Sequence, residues 1–222
     1  MTYALSPTIT LSLSEIGATA RKAARGIGMP WGFAEEASRA TRALTALNLP
    51  GPESLLAALQ AMDGIIDRFH AEETGGALTS RCGRLCPISA GAALSDRATL
   101  LASGAIYAMQ PVVSPLLLLP FLIDIAAVTG TPMSLAVGMR PYAVSPFPAS
   151  ELLGHLSRNE VAALRVLRGA ETEPGSSPSP TASRTVGIAT WQALDRLASR
   201  TYVPATEHSR RAGAGAGTSD ND

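Results

Sequence analysis

Apolar residues recur at helical spacing through residues 11–70 and then break into short runs separated by glycine and proline. Ser12 followed by Glu15 is a capping box and predicts a helix start. Leu13, Ile16, Ala20, Ala23 and Ile27 supply one apolar face, and Gly26, Gly28 and Pro30 stop the helix. A second helix is expected from about Gly32, with Phe33, Ala37, Ala40, Leu44 and Leu47 as its stripe and Glu35 set four residues before Arg39 for an ion pair. Pro52 opens a third helix, whose stripe Leu55, Leu59, Met62, Ile66 and Phe69 extends to the end of this region.

Beyond residue 70 the texture changes. Residues 71–84 read as a polar, glycine-containing loop. Ile88 to Leu94, Thr99 to Leu101 and Ile106 to Val113 read as strands. Leu116 to Val128 is apolar nearly all round and predicts a buried helix. Met133 to Met139 predicts a buried strand, Ser150 to Leu156 a short helix, and Val161 to Leu167 and Thr185 to Ile188 two more strands. Residues 171–183 are rich in Ser, Pro and Gly and read as a flexible loop. A last helix, capped by Thr190, carries Trp191, Leu194, Leu197 and Ala198. The class is therefore α+β: a helical N-terminal unit, then a mixed or antiparallel sheet with a few packed helices. The expected units are residues 1–75, residues 85–200 and a polar, glycine-rich tail over 201–222.

Bulk properties narrow the function classes. The chain has 222 residues, a formal net charge of +0 and an apolar fraction of 46%, which is a globular composition. A neutral balance argues against a nucleic-acid groove, which needs a basic excess. The longest apolar stretch, Val112 to Val128, is interrupted by Pro115, Pro120 and Asp124 and is too short to span a membrane. The N-terminus has neither the basic nor the apolar region of a leader. Lys22 is the sole lysine, and the dominance of Arg and Ala fits a GC-rich bacterial genome. These features together point to a soluble bacterial protein of the cytoplasm.

Candidate chemistry concentrates at the C-terminus. Thr206, Glu207, His208, Ser209, Arg210 and Arg211 place a carboxylate, an imidazole, two hydroxyls and two guanidiniums side by side behind Pro204. Such a set can move protons near neutral pH and hold an anion. His208 and Glu207 are the candidate catalytic pair, with Arg210, Ser209 and Tyr202 as ligand-binding candidates. Residues 212–222 read first as a solvated end, and alternatively as a glycine-rich segment that closes over a ligand.

Cys82 and Cys86 lack the spacing and the second pair of a zinc site, so no metal is expected. Cys86 is a candidate nucleophile, or else a small buried hydrophobe. Asp96 and Arg97, just past an apolar run, are further ligand candidates or a surface pair. Asp124 sits among apolar residues and calls for an arginine partner. No GxSxG, Walker or GxGxxG pattern occurs, and no cofactor is assigned.

LSLSEIGATARKAARGIGMPWGFAEEASRATRAL, LCPISAGAALSD and RTYVPATEHSRRAGAGAGTSDND together resemble an uncharacterised bacterial family known as a domain of unknown function. That resemblance implies no activity, cofactor or catalytic residue. Residues 11–50 are also similar to the opening helices of the malate/L-lactate dehydrogenase family that does not use a Rossmann fold. That family's catalytic histidine follows a Ser and precedes a Gly shortly after these helices. Leu47 to Leu59 holds no histidine, so the catalytic residue does not carry over. Two functional readings stand: an enzyme acting on a small anionic metabolite near the C-terminal tail, or a non-catalytic ligand-binding or accessory protein that forms a homo-oligomer.

Overall fold

Ser12 and Glu15 form the capping box that the sequence announces. The Glu15 amide donates to Ser12 Oγ at 3.1 Å, and Glu15 Oε2 accepts from the Ser12 amide at 2.8 Å and from its hydroxyl at 2.7 Å. In the computed structural model, which describes residues 7–158, 160–161, 164–169 and 183–202, this cap joins strand β1 (Thr8–Ser12) to helix α1 (Leu13–Gly26). Helices α2 (Trp31–Ala46) and α3 (Gly51–Met62) follow. The α1 and α2 faces meet through small side chains, Ala20, Ala23 and Ala24 against Ala34, Ala37 and Ala40, all fully buried.

The remaining elements build a six-stranded mixed sheet, a separate β5–β8 pair, the partner strand of β1 and the helices packed against them. They are β2 (Glu72–Thr74), β3 (Ala77–Thr79), α4 (Pro87–Ser95), α5 (Ala98–Ala102), β4 (Tyr107–Met109) and β5 (Val112–Val113). Next come α6 (Leu119–Thr129), β6 (Met133–Val137), β7 (Arg140–Ala143), α7 (Ser150–Leu156), β8 (Glu160–Val161), β9 (Leu164–Arg168), β10 (Ser183–Gly187) and α8 (Ile188–Ser199). Six strands form one sheet in the order β2-β3-β4-β9-β6-β7, antiparallel except where β3 meets β4. The chain is thus α+β, with a helical N-terminal region followed by a mixed sheet.

The ends of the described chain are stitched together. β1 pairs antiparallel with β10, from Thr8 opposite Gly187 to Ser12 opposite Ser183. Each strand runs directly into a helix, so α1 and α8 pack side by side. Leu11, Ile16 and Val186 bury together at the strand end of this pair, with Ile9 and Trp191 against them. A larger continuous core takes in Ala20 of α1, Leu59 of α3, Phe121 of α6, Val166 of β9 and Leu194 of α8.

Several local expectations are corrected. β1 was not foreseen, although TITLS is rich in β-branched residues. The expected loop over 71–84 holds the β2–β3 hairpin, closed by Gly75 and Gly76, both at positive φ as a two-residue hairpin turn requires. Ile88 to Leu94 is helix, not strand. Pro87 sits at the helix start, alanines favour the helical state, and the run is apolar because α4 is buried. A methyl at Gly91 would collide with the Phe121 ring. Thr99 to Leu101 likewise lies in the one-turn helix α5.

The third helical stripe ends at Met62, where Asp63 and Gly64 interrupt it. Ile66 and Phe69 then enter the core from a separate 3-10 turn. α8 starts at Ile188 behind Gly187, earlier than a Thr190 cap would give. Glu35 and Arg39 do not pair with each other. Glu35 accepts from Arg21 of α1 at 2.9 Å, while Arg39 reaches Glu36 and Asp124. Asp124 has its arginine, but its side chain is 48% exposed rather than buried.

Leu59 is fully buried. Leu59→Ala is expected to destabilise the fold by about 2–5 kcal/mol in urea unfolding, and a cost below about 1 kcal/mol would be that of a surface site. The capping box adds a pH signature. Its bonds to Ser12 hold the Glu15 carboxyl below the usual carboxylate value. A depressed folded-state value means that the contribution is complete above the ordinary carboxylate range and disappears as pH falls through the lowered value. Ser12→Ala should therefore cost about 1 kcal/mol near neutral pH, and the gap to the parent chain should narrow in acid. A gap that does not change between neutral and acid pH would contradict this.

Candidate functional site

The C-terminal ends of α1 and α8 converge on a cleft of about 540 Å³ lined by Arg21, Lys22, Arg25, Trp31, Arg200 and Thr201. Its geometry follows from the helix periods. The apolar face of α1 points to the core, so Arg21, Lys22 and Arg25, spaced three and four apart, emerge on the other side. Gly26 lets α8 approach. A methyl there would fall well inside contact distance of the Leu197 carbonyl oxygen, so only glycine fits at this crossing without a shift of backbone. That approach brings Arg200 and Thr201, just past the end of α8, over the last turn of α1.

The charges in the cleft are unevenly satisfied. Arg200 holds Asp63 with two bonds, at 2.7 and 2.9 Å, and this carboxylate raises the guanidinium above its already high value. Arg21 is paired with Glu35 at 2.9 Å and lies 5.6 Å from the centre of the Trp31 ring. Arg25 donates to the Met29 carbonyl, which closes the turn after α1. Lys22 donates to the Tyr202 hydroxyl at 3.1 Å, with its ammonium 5.3 Å from the centre of that ring. Among the described residues, neither Lys22 nor Arg25 has a carboxylate partner. The carbonyl ends of two helices face this region and favour cations. They do not neutralise a full positive charge.

Tyr202 is the one ligand candidate from the sequence that the structure places at this cleft. His208, Glu207, Arg210 and Ser209 lie outside the described residues, as do Arg211, residues 212–222 and most of the loop expected over 171–183. Cys86 is 4% exposed and caps α4, and burial pushes its thiol pKa up. A thiol so placed favours the unreactive protonated form. Cys82 is half-buried and free, its sulfur donating to the Arg84 carbonyl at 3.3 Å. Asp96 is exposed at the end of α4. Arg97 pairs with Glu73 at 2.6 Å and caps the Ala93 carbonyl. Neither residue lines the cleft.

Sequence reasoning missed Arg21, Arg25, Trp31 and Arg200, and treated Lys22 only as a lone amine. Two signals were present. Three cations share the polar face of one helix, and a tryptophan follows Pro30 outside the apolar stripe.

A second polar cluster joins β7 to α7. Tyr142 donates to Glu151 at 2.9 Å, Arg140 also pairs with Glu151, and the His155 ring centre is 5.9 Å from that of Tyr142. Burial first, and Glu151 second, raise the Tyr142 pKa. Every member has a partner inside the cluster, which fits a clasp between the two elements. Among the described residues, no group of three or more His, Cys, Asp and Glu is placed to hold a metal ion. No helix among them is long and apolar enough to cross a membrane.

The fold and cleft define an α+β protein with an exposed cationic groove. Residues 11–74 match the model of a family described as "Protein of unknown function (DUF3726)". The match runs from the end of β1 through α3 to β2 and includes the α1 side of the cleft. The α8 side and Cys86 lie outside it. Neither the curated proteins nor the solved structures contain a match, so the dehydrogenase resemblance of residues 11–50 gains no support.

The Gly26 contact yields a test of how the cleft is held. Gly26→Ala must displace α8 backbone rather than a flexible side chain, at a cost of about 1–3 kcal/mol in urea unfolding. Gly32→Ala, where a methyl meets nothing within 4 Å, is the control and should be close to neutral or stabilising. Equal stability of the two variants would mean that α8 does not sit against Gly26.

Proposed function

We propose that the protein binds a small ligand carrying more than one negative charge in the cleft between the ends of α1 and α8. The observation that carries this reading is Lys22 and Arg25 side by side on one helix face, without a carboxylate partner among the described residues, beside the paired Arg21 and Arg200. Like charges brought together at a surface repel one another, and a bound anion relieves that repulsion. A cleft of about 540 Å³ matches a metabolite rather than a macromolecule. The composition suits a ligand of the bacterial cytoplasm.

Binding without chemistry is the better supported form of this reading. The described residues lining the cleft include no carboxylate, imidazole or thiol to serve as a general base. The enzymatic form draws on Glu207 and His208, which follow Tyr202 in the chain.

Isothermal titration with pyrophosphate and citrate tests the reading. The parent chain should bind at least one of them, more weakly as salt is added. The double variant Lys22→Gln, Arg25→Gln should lose about tenfold or more in affinity, since hydrogen bonds to charged groups contribute about 1.5–3 kcal/mol each. Both residues are exposed, so the variant should fold normally. Equal affinity in parent and variant, or no binding by either, would defeat the proposal. Deleting residues 203–222 then asks whether Glu207 and His208 contribute: a truncated chain that binds as tightly as the parent removes them from the site.

A further inference from the structure

We infer that the ligand of this cleft carries a flat aromatic or heteroaromatic ring next to its anionic group, and that the ring stacks on Trp31. The inference rests on the anion-binding reading and adds the chemical class of the ligand's uncharged part. Aromatic residues make up only 5% of this chain, and most of those described are buried or half-buried. Trp31, at 62% exposure, and Tyr202, at 58%, are the two exposed aromatic residues among the described ones. Both stand at the same cleft, each against one of its cations: Trp31 against Arg21, Tyr202 against Lys22.

Chance exposure explains this pair poorly. Trp31 is the first residue of α2, directly behind Pro30, whose ring fixes the chain as it enters the helix. Its position is therefore set by rigid backbone, yet it belongs to neither group of buried apolar residues. The Arg21 guanidinium near the ring is itself tied to Glu35 at 2.9 Å, which keeps the cation from swinging away. An indole held in place beside a planar cation is the arrangement that accepts a second planar group by stacking. Lys22 and Arg25, on the same helix as Arg21, then meet the charge attached to that group. Phosphate and carboxylate satisfy these cations alike, so the anionic half is left as either.

Two matched pairs of probes separate the ring from the charge: inorganic phosphate against phenyl phosphate, and malonate against phenylmalonate. Each is titrated calorimetrically into the parent chain and into Trp31→Ala, an exposed substitution that leaves the core untouched. Stacking on an aromatic side chain is expected to give the ring-bearing member of a pair about a fivefold to hundredfold advantage in the parent. The advantage should vanish in Trp31→Ala, while the ring-free member binds both chains equally.

Equal affinity within both pairs in the parent would overturn the ring inference and leave anion binding standing. A ring advantage that survives Trp31→Ala would also overturn it, since the ring would then sit elsewhere. Failure of all four probes, together with pyrophosphate and citrate, would instead remove the anion-binding reading on which the inference rests.

Discussion

The contact between Gly26 of α1 and the Leu197 carbonyl of α8 is the constraint on which the candidate site depends. Two helices can run this close only where one of them presents no side chain. The crossing lies at their C-terminal ends, and the β1–β10 ribbon fixes their N-terminal ends. With both ends fixed, residues at opposite ends of the described chain, Lys22 and Tyr202, come within hydrogen-bonding distance at 3.1 Å. The cleft is thus a product of long-range topology rather than of any local motif.

The same economy of side chains runs through the helical region. α1 and α2 meet through alanines, and Gly17 passes beneath Ser38, whose hydroxyl donates to the Gly17 carbonyl at 2.8 Å. Small residues allow close approach but bury little area each, so this interface gains by fit over many positions. The larger apolar residues, Leu55, Leu59, Phe69 and Phe121 among them, lie deeper, where α3 and α6 meet the rest of the core. Surface ion pairs such as Arg21–Glu35 and Arg200–Asp63 add little stability, because water and salt screen them. Their larger effect here is to orient two guanidiniums at the rim of the cleft.

How much of this was legible in the sequence depends on the range of the interaction. The capping box, the helical stripes of α1 and α2, the buried helix ending at Thr129 and the strand from Met133 are local patterns, and the sequence displays them directly. α4 was misread because a seven-residue, mostly apolar run, Ile88 to Leu94, does not reveal its period when nearly all of it is buried. β1 and the β2–β3 hairpin were missed although their signals, β-branched alternation and a Gly-Gly pair, were in plain view. The cleft was the hardest feature to foresee. Its cations come from α1 and from the end of α8, and the β1–β10 pairing and the Gly26 crossing, neither of which a sequence pattern shows, bring them together. The chemistry that did stand out, around His208, is a local cluster, and local clusters draw the eye whether or not they face anything.

The central claim is that the Lys22 face of α1 is where an anion binds, and the composition of the chain offers a direct probe. Lys22 is the only lysine, so [ε-13C]lysine labelling gives one lysine signal, from the cleft itself. In a titration with pyrophosphate at constant ionic strength, that signal should move and saturate. Sodium chloride over the same ionic range should not reproduce the shift. A lysine signal that stays in place, or that drifts identically with chloride, would contradict the account.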